Sequence, residues 1–197
     1  MRAPPRAAEL VADFANTLDI HAGTDTLSTP DDLATWLTDH GLPAAGTPGP
    51  ALHTAAVALR AGIREHLGTH VGDTPDPAVT AAADAALAHF PVRIAADGTL
   101  SPGPGLTGTE RAVAELAVAW STLAVTGDAA RLKRCAEHTC HEVFWDTSKN
   151  RSKRWCSMQG CGNRAKARTY AARRAAASDG NGRADASGPV PLPRYGP

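Results

Sequence analysis

The residues best placed to do chemistry are the four cysteines, Cys135, Cys140, Cys156 and Cys161, spaced C-x4-C-x15-C-x4-C. Two close pairs separated by a linker of this length suit a four-thiolate zinc site, because zinc prefers soft thiolates in a tetrahedron and each close pair can supply one edge. A shell of four cysteines leaves no open position, so the expected Zn2+ is structural and folds a module too small to stand on its own core. His138 and His141 lie close by, and imidazole also suits zinc. With four thiolates completing the shell, both are expected to be exposed. Two disulfides fit the same spacing, but MRAPPRAAEL lacks the apolar stretch of a secretory signal, and thiols of a soluble cytoplasmic chain stay reduced. A redox-responsive zinc–thiolate switch is compatible with zinc rather than opposed to it.

Charge points to the same segment. The formal net charge of zero over 197 residues hides a segregation: residues 1–130 carry 6 Lys+Arg against 15 Asp+Glu, and residues 131–174 carry 12 against 3. A basic half on an otherwise acidic chain suggests a nucleic-acid partner for that half alone. Lys149, Arg151, Lys153 and Arg154 fall between the cysteine pairs, and Arg164, Lys166, Arg168, Arg173 and Arg174 follow Cys161. Together they form a phosphate-binding footprint. The competing reading is a solvated basic face, or one docked on the protein's own acidic half. That half would hold itself off DNA and could shield the module at rest. If the helix after Cys161 enters a major groove, Asn163 and Arg164 are the base-reading candidates, since Asn suits adenine and Arg guanine.

The elements that must position these residues are mainly helical. An alanine-rich chain with only 5% aromatic residues favours helices over a sandwich or barrel. Apolar residues at helical spacing predict helices over 7–20, 30–40, 52–67, 77–89 and 109–125, with Ser28 or Thr29 starting the second and Gly127 stopping the fifth. Val92, Ile94 and Leu100 flank Asp97-Gly98 and suggest a short hairpin. Residues 128–130 read as a link to the cysteine region. There Val143-Phe144-Trp145 is expected to form one strand, Ser148–Asn150 the turn and Arg154-Trp155 the return, before a helix that begins at the second cysteine pair. The expected fold class is mainly α: a helical domain over 1–127 with a minor β-hairpin, a small treble-clef-like zinc finger over 131–176, and a disordered Gly/Pro/Ser-rich tail over 177–197.

The run RCAEHTCHEVFWDTSKNRSKRWCSMQGCGNRAKARTYAARR resembles the CGNR zinc finger of bacterial proteins, named for Cys161-Gly162-Asn163-Arg164. The shared features are the paired cysteines, Phe144 and Asp146, Ser148 and Asn150, Arg154-Trp155-Cys156-Ser157-Met158, and Lys166, Tyr170 and Arg173 on the helix. His138 and Thr139 stand where the family often has other residues. DFANTLD (Asp13 to Asp19) and LATWL around Trp36 resemble the opening of the ABATE domain, a mostly helical domain usually paired with this finger. The resemblance implies a stress-responsive transcription regulator with a zinc-dependent DNA-binding C-terminus.

The expected function is therefore a DNA-binding transcription regulator whose helical domain senses a small-molecule effector or forms a homodimer, with double-stranded DNA as partner and no membrane. Asp13, Asn16, Thr17 and Asp19 either line an effector pocket or, the blander role, cap helix ends and satisfy loop amides. Trp36 and Trp120 lie on apolar stripes and read as core. His53, His66, His70 and His89 show no site-like spacing. The alternative is an RNA-binding or protein-interaction zinc module, in which Trp145 and Trp155 would be stacking platforms rather than packing around the zinc hairpin. No phosphate-cradling glycine loop, H-E-x-x-H or G-x-S-x-G elbow is present, so no enzyme is expected; a third reading would place one on the helical domain.

Overall fold

The chain folds into six helices and three two-stranded antiparallel sheets, in a computed structural model that describes residues 3–42, 44–106 and 108–181. Helix α1 (Arg6–Ala15) buries Ala8, Val11, Phe14 and Ala15. It stops short of the residue-20 limit that its periodicity suggests. Leu18–Asp19 instead form β1, paired with β2 (Thr24–Asp25). The reason is tertiary: Arg60 is buried and donates to Thr17 Oγ1 at 2.9 Å and to both Asp25 oxygens at 2.6 Å, holding the reversal closed.

Helix α2 (Pro30–Asp39) begins with a capping box in which Thr29 and Asp32 satisfy each other's backbone N–H groups. Helices α3 (Pro50–Thr69) and α4 (Pro77–Leu87) each open on proline, and Asp76 caps the second. The expected hairpin forms as β3 (Val92–Ile94) and β4 (Leu100–Pro102). Helix α5 (Gly108–Thr126) ends at Gly127, whose φ of 74° is the left-handed stop the sequence suggests.

Val11, Phe14, Leu33, Leu37, Leu59, Ile63 and Leu116 belong to one apolar core. Trp36 and Trp120 pack against it as expected, Trp36 stacked on His40 at 3.9 Å and Trp120 edge-on to His66 at 5.3 Å. Residues 128–130 are no open tether. Asp128–Arg131 form a 3-10 turn with Asp128 and Ala129 buried, leading into β5 (Leu132–Arg134). Leu132 and Val143 sit in the same core as α1, α3 and α5.

The cysteine hairpin differs from the expected one. Strand β6 (Val143–Trp145) pairs with β5, Leu132 opposite Trp145 and Arg134 opposite Val143, so the hairpin encloses the first cysteine pair. Arg154 and Trp155 form no strand; Arg154 contributes one backbone bond, from Ala136 N–H to its carbonyl at 2.9 Å. Burial of Leu132 and Val143 against the helices selects this pairing. The treble-clef-like order of knuckle, hairpin and helix is retained. Helix α6 (Asn163–Asn181) follows, so residues 177–181 of the expected tail are helical and 182–197 lie outside the described residues.

Candidate metal centre and nucleic-acid interface

Cys135 follows β5, Cys140 closes the turn after Glu137, and Cys161 lies in a π-helical turn, Met158–Gly162, that feeds α6. Cys135 and Cys161 are buried, Cys140 and Cys156 half-buried. All four Sγ atoms lie within 4.8 Å of one another, with Cys140–Cys156 at 3.7 Å and Cys156–Cys161 at 3.6 Å. A tetrahedron with Zn–S bonds of about 2.3 Å has edges of about 3.8 Å, so the donor set fits zinc. Disulfide sulfurs would stand about 2 Å apart, and all four cysteines are free. Burial pushes the Cys140 thiol up to about 11 and raises Cys156 as well. At Cys161 burial is outweighed by hydrogen bonds from its neighbours, which pull the thiol the other way; a divalent cation among the four sulfurs would offset the charge of all four as thiolates. His138 and His141 lie outside the cluster; His138 is exposed as expected, but His141 is half-buried, because its backbone is drawn against the helices by buried Arg64. Arg164 Nη2 donates to Cys161 Sγ at 3.0 Å, an outer contact that orients a ligand and offsets thiolate charge.

Two buried carboxylates shape the finger. Asp146 is fully buried and accepts from Lys133 Nζ at 2.8 Å, Ser148 N–H at 2.8 Å and Lys153 N–H at 2.9 Å. Burial alone would raise its pKa, but the ammonium and these donors hold it down to about 2. Lys133 Nζ also donates to the Arg151 and Lys153 carbonyls. One buried ion pair thus ties down loop 147–153 from beneath. Glu137 is fully buried as well, clasped by both Arg168 Nη atoms at 2.8 Å, and that guanidinium lowers its pKa to about 2. The clasp fastens α6 to the knuckle.

The finger is bolted to the helices. The Asn16 side chain donates to the Val143 carbonyl at 2.9 Å and accepts its N–H at 2.7 Å. Buried Arg64 donates to the carbonyls of Ala15 at 2.6 Å and His141 at 3.2 Å. Arg134 reaches back to Glu65 at 2.6 Å and Asp73 at 3.1 Å. It crosses α3 where Gly68 leaves room, since a Cβ there would stand 2.5 Å from the guanidinium. His70 contacts the Leu132 carbonyl through Nδ1 at 2.8 Å.

The basic residues separate accordingly. Lys149, Arg151, Arg154, Lys166 and Arg173 are exposed. Lys153 is half-buried, its ammonium 4.8 Å from the Phe144 ring centroid, and Arg174 lies over Tyr170 at 5.9 Å. Asn163 donates to the Gln159 carbonyl at 3.0 Å. Arg164 turns toward Cys161 and, with Asn16, Asp19 and Glu142, borders a cavity of about 400 Å3 between the N-terminal motif and the cysteines. Asn16, Thr17 and Asp19 take the blander role weighed for them, satisfying backbone groups: Asp19 accepts from Ala22 N–H at 2.9 Å and Thr17 donates to the Phe14 carbonyl at 2.7 Å, while the Asp13 side chain is exposed. Trp145 packs on the main core and Trp155 on the cysteine cluster.

Sequence reasoning did not pick out Lys133, Glu137 or the partner of Asn16. A signal was present for the acids: only three stand among twelve bases in 131–174, and two of them are buried ion-pair partners. No sequence signal marks Asn16 as the mate of a residue 127 positions away.

Two family profiles match the chain. One, described as "Putative stress-induced transcription regulator" (ABATE), covers residues 8–137. The other, the CGNR zinc finger, covers residues 131–174. No curated protein matches the chain. The two profiles overlap at 131–137, the stretch that carries β5 and Cys135.

Proposed function

This chain belongs to the ABATE family of stress-induced transcription regulators, and from that premise we propose that it binds double-stranded DNA through its zinc-stabilised C-terminal finger. Residues 131–176 act as the DNA-binding unit, with Cys135, Cys140, Cys156 and Cys161 as the zinc ligands. Residues 1–127 form the unit that senses an effector or dimerises. The role is regulatory rather than catalytic. The families matched are regulatory, and no helix among the described residues is long and apolar enough to cross a membrane.

The observation that carries this reading is the state of α6. From Lys166 to Ala176 every residue is exposed, and the helix is anchored at its base by Cys161 and the Arg168–Glu137 clasp. A helix that carries cations among alanines and buries no stripe gains little from its own fold, so a partner surface is the natural source of its ordering. Its cations, Lys166, Arg173 and Arg174, add to those of the preceding loop, Lys149, Arg151, Lys153 and Arg154. Cations on the loop and helix hold phosphates, and Asn163 and Arg164 at the start of α6 are the residues nearest to reading bases. For Arg164 that role requires leaving Cys161. Arg168 acts chiefly by setting the direction of α6.

The test is fluorescence-anisotropy binding of the full zinc-loaded chain to pooled duplex DNA over a salt series, repeated with a zinc chelator. Binding that weakens steeply with salt and is lost on chelation supports the reading. Absence of duplex binding by the zinc-loaded chain overturns it.

A further inference from the structure

Beside loop 147–153 lies a cavity of about 720 Å3. Trp155 and Met158 line it together with Arg131, Lys149, Lys153 and Arg154 and the hydroxyl groups of Thr147, Ser148 and Ser152, and no carboxylate lines it. The nearest acid in sequence, Asp146, is fully buried beneath the loop and saturated by Lys133 and two N–H groups.

Both parts of this cavity are held in place. The loop is held by Lys133, with Lys149 exposed on it and the Lys153 ammonium lying over Phe144. Met158 is 47% exposed, unusual for so apolar a side chain, and its thioether is seated by Gly162. A Cβ at 162 would stand 2.9 Å from Met158 Sδ and 3.0 Å from its Cε. The glycine between Cys161 and Asn163 thus lets Met158 lie flat against the turn.

A smooth duplex backbone needs cations but has no use for an exposed thioether and an indole beside them. An aromatic ring and a thioether next to cations and hydroxyl groups, with no carboxylate among them, match a flat heteroaromatic base joined to a phosphate. We propose that this cavity takes one unpaired nucleotide, its base on Trp155 and Met158 and its phosphate on Lys149 and Arg154. The inference rests on the nucleic-acid reading of the finger and adds a preference for a nucleotide out of the stack. The nucleotide can come from a bulged or single strand, or be free in solution.

The experiment uses the full zinc-loaded chain and four probes: an intact duplex, the same duplex with a one-nucleotide bulge, the matching single strand, and a nucleoside diphosphate. The expected result is roughly tenfold tighter binding to the bulged duplex than to the intact one, in keeping with the worth of one base–aromatic stack. Met158→Ala should erase that preference and leave intact-duplex binding in place. Because substitution near the zinc turn can disturb folding, a second readout uses the unaltered protein: a photoreactive iodinated base placed in the bulge should crosslink to Trp155 or Met158. Crosslinks confined to α6, or equal affinity for bulged and intact duplex together with no diphosphate binding that Met158→Ala abolishes, overturn the proposal and leave the duplex-binding function standing. Diphosphate binding that Met158→Ala abolishes, without a bulge preference, supports the cavity with a free nucleotide as its occupant. Failure to bind any of the four probes overturns both readings.

Discussion

Asn16 grips Val143 as a neighbouring strand would, its amide accepting the Val143 N–H at 2.7 Å and donating to the Val143 carbonyl at 2.9 Å. The two residues are 127 positions apart, one at the end of α1 and the other at the start of β6. A side chain of the N-terminal motif thereby completes the edge of the zinc-finger hairpin. The helical body and the finger hairpin are joined directly at this point.

Asn16→Ala should cost about 1–3 kcal/mol, because it leaves a part-buried N–H and carbonyl of Val143 without their partner. For a chain of this size that lowers Tm by about 2–4 °C per kcal/mol. Thermal unfolding of the zinc-loaded protein measures it, and an unchanged Tm would show that water replaces the amide without loss.

Lys133→Met should be more damaging. It strands Asp146 as an unpaired buried carboxylate, and breaking one side of a buried pair typically costs about 3–5 kcal/mol. Loop 147–153 loses two bonds, those to the Arg151 and Lys153 carbonyls, at the same time. Urea unfolding should show a lower midpoint, and a variant as stable as the parent would contradict the pinning role given to Lys133.

Cys135→Ser or Cys161→Ser should abolish zinc retention, read by metal analysis of the purified protein. Hydrogen exchange should then speed up from about residue 135 to 162, while α1, α3 and α5 stay protected, since Leu132 and Val143 keep their apolar contacts. Retained metal in both variants would refute the four-thiolate assignment.

Lys149→Ala and Arg168→Ala should separate contact from support. Lys149 is exposed, and its removal should weaken duplex binding on all sequences and reduce the salt slope by about one, with Tm unchanged. Arg168 clasps buried Glu137, so Arg168→Ala should lower Tm as well as affinity. A Tm unaffected by Arg168→Ala would show that the clasp contributes nothing to holding α6.

Stability should fall on acidification, in part through Asp25. The Arg60 guanidinium, bonded to both its oxygens, holds its pKa below the usual carboxylate range. A lowered folded-state pKa contributes stability above the unfolded value, near 3.9, and that contribution is lost as pH falls through the folded value. Between about pH 5 and pH 3, Asp25→Asn should therefore lose less stability than the parent does. Parallel Tm–pH curves for the two proteins would show that Asp25 titrates alike in the folded and unfolded chains.

Much of this protein is local and was legible in the amino-acid order. The helix positions follow from apolar spacing and from caps such as Thr29 and Gly127, which act within a few residues. The four-cysteine site follows because the spacing of sulfur donors and the preferences of zinc leave few alternatives. The partners of the charged residues were a different matter. Lys133, Arg134 and Arg168 look like Lys149 or Lys166 in a sequence, as members of one basic run. Only the packed chain distinguishes them: Lys133 and Arg134 are themselves buried, and exposed Arg168 is claimed by the buried carboxylate of Glu137, which makes each ion pair obligatory. Strand pairing was decided the same way. Trp145 could have returned onto Arg154-Trp155 nearby, yet β6 turns back to β5, where Leu132 and Val143 add to the core of the helical body. Pairing between strands is set by the apolar surface each register buries, and that surface exists only once the helices have assembled.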